Sequence, residues 1–373
     1  RHLGRCRERG KYAAIPCLST ANHAAKCALS VGQRGVTPKG ELIRTGRMSK
    51  LVTISGGSGF VGRYIAQRMA RQGWRVRVAV RRPNDAHFEK PYGVVGQVEP
   101  VFCNIRDDDS VRAVMTGAEA VINCVGTFDA KGKNNFDAVQ HEGAERIARI
   151  AAETGVARMV HISAIGASAD APSRYGQTKG LGEEGVLASM PNAVILRPSV
   201  VFGPEDQFFN RFAAMARMSP MVPLFGADTK FQPVYVDDVA EAAVLGATGQ
   251  AAPGVYELGG PEVASFRDLI KTMLHVVRRR RLVVGFPFWL GRVLATVTGA
   301  LSALTGGLAP QPVTSDQLKE LTRDNVVSDE TQGFQALGIT PTSLDAILPS
   351  YLWMFRPSGQ YAELKESARN LKG

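Results

Sequence analysis

Cysteine is scarce and placed for neither of its structural uses. Five occur in 373 residues; Cys6, Cys17 and Cys27 fall within the first 47 positions, which leaves Cys103 and Cys124 for the rest. No C-x-x-C and no H-E-x-x-H occurs anywhere. A disulfide framework and a zinc site are thereby excluded, and such cysteine usage fits a reducing compartment. An uninterrupted apolar run is lacking too: a membrane-spanning helix needs about 20 such residues, and the most apolar stretch, 282–308, is broken by Arg292 and several glycines. At 45% hydrophobic and 21% charged, the chain is neither disordered nor fibrous. Its length allows one large core or two modest ones.

Acid is what the start of the chain lacks. Residues 1–47 hold ten Lys/Arg against Glu8 and Glu41, so eight of the net +11 charges sit there. This leader has no helical or alternating apolar period and is set aside from the fold. Its character resembles an organelle transit peptide, while Met48, just ahead of the first strand, fits equally with upstream sequence read through. Beyond residue 47 the basic residues are too scattered for a nucleic-acid surface, so no nucleic acid is expected as a partner.

From Lys50 onward, apolar runs alternate with amphipathic stretches, the sequence form of repeated βαβ units and a mostly parallel sheet. LVTIS (51–55), RVRVAV (75–80), VEPVFCNI (98–105), AVINCVG (120–126), VARMVHIS (156–163) and NAVILRP (192–198) are expected strands. Helices are expected over Phe60–Arg71, with Val61, Ile65 and Met69 on one face, over Phe136–Glu153, and from near Tyr175. The expected fold is α/β, a Rossmann-like doubly wound sheet over 48–200. A smaller lobe (201–345) follows, interleaved with the same sheet and containing FQPVYV (231–236), a helix near Asp237–Gly246 and YELGG (256–260); a tail occupies 346–373. Within the lobe, Arg278 to Arg281 precede the apolar 282–308 stretch. The 278–310 segment suits an interface helix on a membrane or membrane-bound partner, or a buried helix beside a solvated arginine run.

Ser55-Gly-Gly-Ser-Gly-Phe-Val-Gly62 follows a strand and opens a helix, the context that gives a glycine pattern its meaning. Gly56 permits a tight turn, Gly59 lets the backbone approach a pyrophosphate, and Gly62 lets helix and strand pack closely. Gly57, Ser58, Phe60 and Val61 complete a helix N-terminus that faces the phosphates. An NAD-selective site keeps an acid about 20 residues past the glycines for the ribose 2′-hydroxyl. Arg81 and Arg82 stand there instead. Guanidinium forks suit a 2′-phosphate, so NADP(H) is the expected cofactor.

With these residues in order, the chain resembles the short-chain dehydrogenase/reductase superfamily in its extended or atypical branch. Asn104-Ile105-Arg-Asp107, Asn123-Cys124-Val125-Gly126, Tyr175-x-x-x-Lys179 and the LRPSVVFGP segment containing Pro198 carry the resemblance over about residues 50–240. It implies that 104–107 contacts adenine, with Asn104 replacing the usual first acid, and that 123–126 lies under the nicotinamide ribose. Within the superfamily the chain is similar to the nucleotide-binding accessory subunits of respiratory complex I, NADH:ubiquinone oxidoreductase. HISAIGAS with SRYGQTKGLGE, FGPEDQFFNRFA, FQPVYVDDVAEA, PQPVTSDQLKELTRDNVVS and LGITPTSLDAILPSYL carry that closer likeness. It implies other complex I subunits as partners, peripheral contact with the membrane or membrane subunits through 278–310, tightly bound NADPH, and a place on the energy-transducing inner membrane, cytoplasmic in a bacterium or matrix-facing in a mitochondrion.

Reduction in this superfamily needs a tyrosine hydroxyl as acid/base, a lysine that lowers its pKa from about 10, and a hydroxyl that fixes the substrate carbonyl. Tyr175 and Lys179 are one helical turn apart on one face and are the candidate pair. The third position, directly after a strand ending V-H-I-S, holds Ala164; Ser163 should face the other way. The expected role is therefore a non-catalytic NADP(H)-binding subunit that stabilises the junction of complex I's two arms. The alternatives are an active NADP-dependent reductase or epimerase on a sugar-nucleotide or sterol-like carbonyl, or an NADP(H) redox-sensing regulator.

Overall fold

The alternation builds one parallel sheet. A computed structural model describes residues 50–128, 132, 134–305 and 314–361; the basic leader, residues 306–310 of the apolar segment and the end of the tail lie outside them. The described residues all fall within one unit, Met48–Gly373. In chain order come β1 (Leu51–Ser55), α1 (Phe60–Arg71), β2 (Arg75–Val80), β3 (Val98–Phe102), α2 (Asp108–Met115), β4 (Ala120–Asn123), α3 (Glu142–Glu153), β5 (Arg158–Ile162), α4 (Arg174–Ser189) and β6 (Val194–Pro198). Then follow β7 (Val201–Phe202), α5 (Phe209–Met218), β8 (Met221–Phe225), β9 (Lys230–Phe231), β10 (Val234–Tyr235), α6 (Val236–Thr248) and β11 (Gly254–Leu258). Last are β12 (Ala264–Ser265), α7 (Phe266–Val276), β13 (Leu282–Phe286), α8 (Phe288–Leu304), α9 (Ser315–Glu320) and α10 (Leu344–Leu352).

The main sheet runs β11-β6-β5-β4-β1-β2-β3, every pair parallel. From β1 the chain winds outward to β3, then returns to β4 on the other side, so the topological switch point lies between β1 and β4. Burial on both faces explains why β1, LVTIS, carries no charge and why its buried Thr53 donates to the Val114 carbonyl at 2.7 Å. Pro100 is tolerated because β3 is an edge strand paired only with β2.

Each face of the sheet carries its own core. Ile65 and Met69 of α1 pack with Val239 and Ala243 of α6 over Val52, Ile54 and Val78. On the opposite face Val111 and Met115 of α2, Ile147 and Ile150 of α3 and Val186 of α4 cover Val121, Met159 and Ile195. Each fully buried large side chain contributes about 1.5–3 kcal/mol. A third cluster, with Phe202, Phe209, Phe266, Met273, Leu348 and Tyr351, joins α5, α7 and α10.

Several boundaries differ from the sequence expectation. The strand expected over 98–105 stops at Phe102, because Asp107 turns back to cap α2, accepting from the Ser110 N–H at 3.1 Å. The helix from Phe136 opens with a π turn over Asp137–His141. There Gly182 of α4 approaches so closely that a Cβ would stand 2.2 Å from the Gln140 carbonyl oxygen. FQPVYV divides into β9 and β10, with Gln232 turned to donate to the Gly260 carbonyl. The apolar 282–308 stretch is no single buried helix: its start pairs with β8 as β13, and α8 leaves Trp289 65% and Val297 61% exposed. Nor is the arginine run ahead of it simply solvated, since Arg279 and Arg281 donate to the carbonyls of Phe355 and Ala216.

Candidate functional site

All the motif residues come together at the carboxyl edge of the sheet. The chain leaves β1 through Gly56, whose φ of +72° is left-handed and costs glycine little. Gly62 lies in the first turn of α1, where a Cβ would stand 2.6 Å from three backbone atoms of Gly56 and Gly57. Helix and turn therefore touch backbone to backbone, and Gly57, Ser58, Gly59, Phe60 and Val61 form the turn and the start of α1. Ser55 Oγ, at the end of β1, is buried without a hydrogen-bond partner. A cradle too tight for a side chain, beneath a helix N-terminus, fits the pyrophosphate of a dinucleotide.

Beyond β2, Arg81 and Arg82 are exposed at the same edge. Asn104 and Ile105 follow β3 in the turn before α2; the Asn104 side chain accepts from the Arg106 N–H at 3.3 Å, within its own loop. Beyond β4 lie Cys124, Val125 and Gly126, with the Cys124 N–H on the Ser55 carbonyl at 2.9 Å. Burial pushes the Cys124 thiol up to about 12, so it is no nucleophile near neutral pH. Pro198 ends β6, and its carbonyl accepts from the Ile165 N–H.

Tyr175 and Lys179 both belong to α4, and each has partners of its own. Lys179 is buried, and its Nζ donates to the Ile162 carbonyl at 2.9 Å. Burial lowers its pKa to about 8, with Glu183 and Cys124 opposing the shift. Tyr175 stacks on Phe128 (centroids 5.2 Å apart, planes 15° apart) and meets Phe136 edge-on. Burial, and then the carboxylate of Glu320, raise its hydroxyl well above the usual phenol range. The charge that bears on the tyrosine is thus an acid that disfavours phenolate, where the reductase chemistry calls for a cation. His161 on β5 and Ser163 just beyond its end are both buried: Ser163 Oγ and His161 Nε2 have no hydrogen-bond partner, while His161 Nδ1 lies 3.1 Å from Asn123 Nδ2. Burial holds the imidazole neutral, at a pKa of about 3.

Two residues at this site escape sequence reasoning. Asp316 accepts from the backbone N–H groups of Arg174 and Tyr175, at 2.7 and 3.0 Å, and Glu320 accepts from the Ser173 hydroxyl. More than 140 positions separate the partners. The one local sign was Thr314-x-x-Gln317, a capping box that marks the start of α9.

Fold and edge together define a doubly wound α/β protein of the dinucleotide-binding class. The chain belongs to the NAD dependent epimerase/dehydratase family, whose sequence model matches residues 52–259. It is 35% identical over 316 residues to the mitochondrial NADH dehydrogenase (ubiquinone) 1 alpha subcomplex subunit 9 of Arabidopsis thaliana, covering 83% of this chain and 79% of that one. The protein of the same name from Mus musculus is 30% identical over 342 residues, covering 88% of this chain and 87% of that one. The UDP-glucose 4-epimerase of Thermus thermophilus, solved in complex with NAD, shares the fold with a TM-score of 0.61 at 18% identity, over 83% of this chain and 99% of that one. Among the described residues, no helix is long and apolar enough to cross a membrane.

Proposed function

We propose that this protein is an accessory subunit of respiratory complex I that holds NADP(H), as tightly bound NADPH, without transferring its hydride, and that it stabilises the junction of the peripheral and membrane arms. The observation that carries this reading is the surroundings of Tyr175 and Lys179: the lysine is engaged by the Ile162 carbonyl, the tyrosine is stacked on Phe128, and Ala164 stands where a carbonyl-fixing hydroxyl is needed. Such a site keeps nucleotide affinity and loses substrate positioning. The glycine cradle would hold the pyrophosphate, Arg81 and Arg82 the 2′-phosphate, and Lys179 the nicotinamide ribose. When bound, NADP(H) supplies a hydride-carrying nicotinamide. The relatives' identity as complex I subunits supports other subunits as partners, and the exposed apolar face of α8 supports peripheral contact with the inner membrane or its subunits, from the matrix or bacterial cytoplasmic side.

A native pull-down with the bound nucleotide identified tests the reading. Recovery of a large NADH-oxidising assembly with NADPH retained through gel filtration is expected. A lone monomer with rapidly exchanging nucleotide sinks it. The intact Tyr175-x-x-x-Lys179 spacing favours the reductase alternative, and carbonyl reduction abolished by Tyr175→Phe would establish that reading instead.

A further inference from the structure

The first turn of α4 is held from a distance. Ser173 already caps the helix locally, accepting from the Gly176 N–H at 2.9 Å. Two further donors of that turn, the N–H groups of Arg174 and Tyr175, go to the carboxylate of Asp316. Ser173 in turn donates to Glu320. The Arg174 N–H is exposed and water could satisfy it, while Ser173 is buried; the carboxylates from α9 do more than complete a cap, because they join two elements distant in sequence. A carboxylate at a helix N-terminus also interacts favourably with the helix dipole.

The other side of α9 is equally committed. Its six residues are too few to hold a helix unaided. Leu318 is 3% exposed and packs where Gly291 of α8 leaves room; a Cβ on that glycine would stand 3.0 Å from Leu318 and from Phe225. The same short helix therefore touches the helix bearing Tyr175 and Lys179 on one side and the helix bearing exposed Trp289, Val293 and Val297 on the other.

We infer that Asp316 and Glu320 are positioning residues for the nucleotide site, and that through Leu318 they couple nucleotide occupancy to the seating of the exposed α8 face. The inference rests on the nucleotide-binding reading above. A nucleotide that orders α4 favours the arrangement in which α9 is docked, and a docked α9 favours one placement of α8. By linkage, a ligand of the α8 face that prefers that placement tightens nucleotide binding by the same factor by which nucleotide tightens its own.

Hydrogen–deuterium exchange on the purified full chain, with and without NADPH, tests this. In the wild-type protein NADPH should slow exchange both at 174–178 and at 288–299. In the double variant Asp316→Asn, Glu320→Gln, which keeps side-chain shape, NADPH affinity should fall about 5- to 20-fold and the protection of α8 by NADPH should be lost. A merely structural role would weaken protection with and without nucleotide alike. The inference is overturned if NADPH leaves α8 exchange unchanged in the wild-type chain, or protects α8 fully in the double variant. A wild-type chain that takes up no NADPH sinks the nucleotide reading itself. In that event Leu318→Val decides the coupling: faster exchange at α8 and at the start of α4 supports it, and faster exchange at α8 alone overturns it.

Discussion

The Tyr351 hydroxyl donates to Asp206 Oδ2 at 2.5 Å, tying α10 to the loop after β7 across 145 positions of sequence. Asp206 is 3% exposed and also accepts from the backbone N–H groups of Gly203 and Asn210. Burial raises its pKa while these donors pull it back. Tyr351→Phe removes one donor from a buried carboxyl without opening a large void. It should cost about 1.5–3 kcal/mol, seen as a lower urea midpoint with unchanged slope. An unchanged midpoint would show that the contact adds nothing.

Gly62→Ala sets two effects against each other. Alanine gains up to about 1 kcal/mol in helix propensity, but its methyl would stand 2.6 Å from backbone atoms that cannot swing away. Overpacking at about 1–3 kcal/mol wins. Calorimetry should show a Tm several degrees lower, and NADPH uptake should weaken. A Tm at or above the wild-type value would contradict the close packing of turn and helix.

Lys179 gives a pH signature. Its folded pKa of about 8 lies below its ordinary value of 10.5, so between these values the unfolded chain binds more protons and stability rises with pH. Relative to wild type, Lys179→Met should lose this rise, so that the variant's stability advantage is largest below pH 8 and shrinks as the pH approaches 10. Unfolding midpoints at pH 7, 8, 9 and 10 measure it. Parallel curves for the two proteins would mean that the ammonium is not buried.

Arg81 and Arg82 are offered as the 2′-phosphate contact. Removing both as Arg81→Ala, Arg82→Ala should weaken NADPH binding at least about tenfold, the scale of one charge-assisted hydrogen bond, and leave NADH binding within about twofold. Both are exposed, so stability should change by no more than about 0.5 kcal/mol. Fluorescence titration with the two nucleotides separates a 2′-phosphate contact from general attraction. Equal losses for both would remove the case for NADP selectivity.

The sheet was legible in the sequence because a parallel strand covered on both faces is short and mostly apolar, as in LVTIS and NAVILRP, and a helix between strands must carry one apolar stripe. The glycine turn was legible for a similar reason: the lack of a side chain at Gly56 and Gly62 is itself the constraint. The Tyr175–Lys179 spacing was legible as well, along with the missing hydroxyl at Ala164.

What surrounds that pair was decided only in three dimensions. That Lys179 reaches the Ile162 carbonyl, that Phe128 lies on Tyr175, and that Glu320 supplies the nearby charge depend on contacts between segments with no common period. The division of 282–308 into a strand and a half-exposed helix belongs here too, since hydropathy records how apolar a segment is and not which of its faces finds a neighbour. Local pattern thus determined the elements and the nucleotide cradle, because those constraints act between residues close in the chain. The tertiary structure decided which groups surround the cradle's tyrosine, because those come from segments distant in the chain.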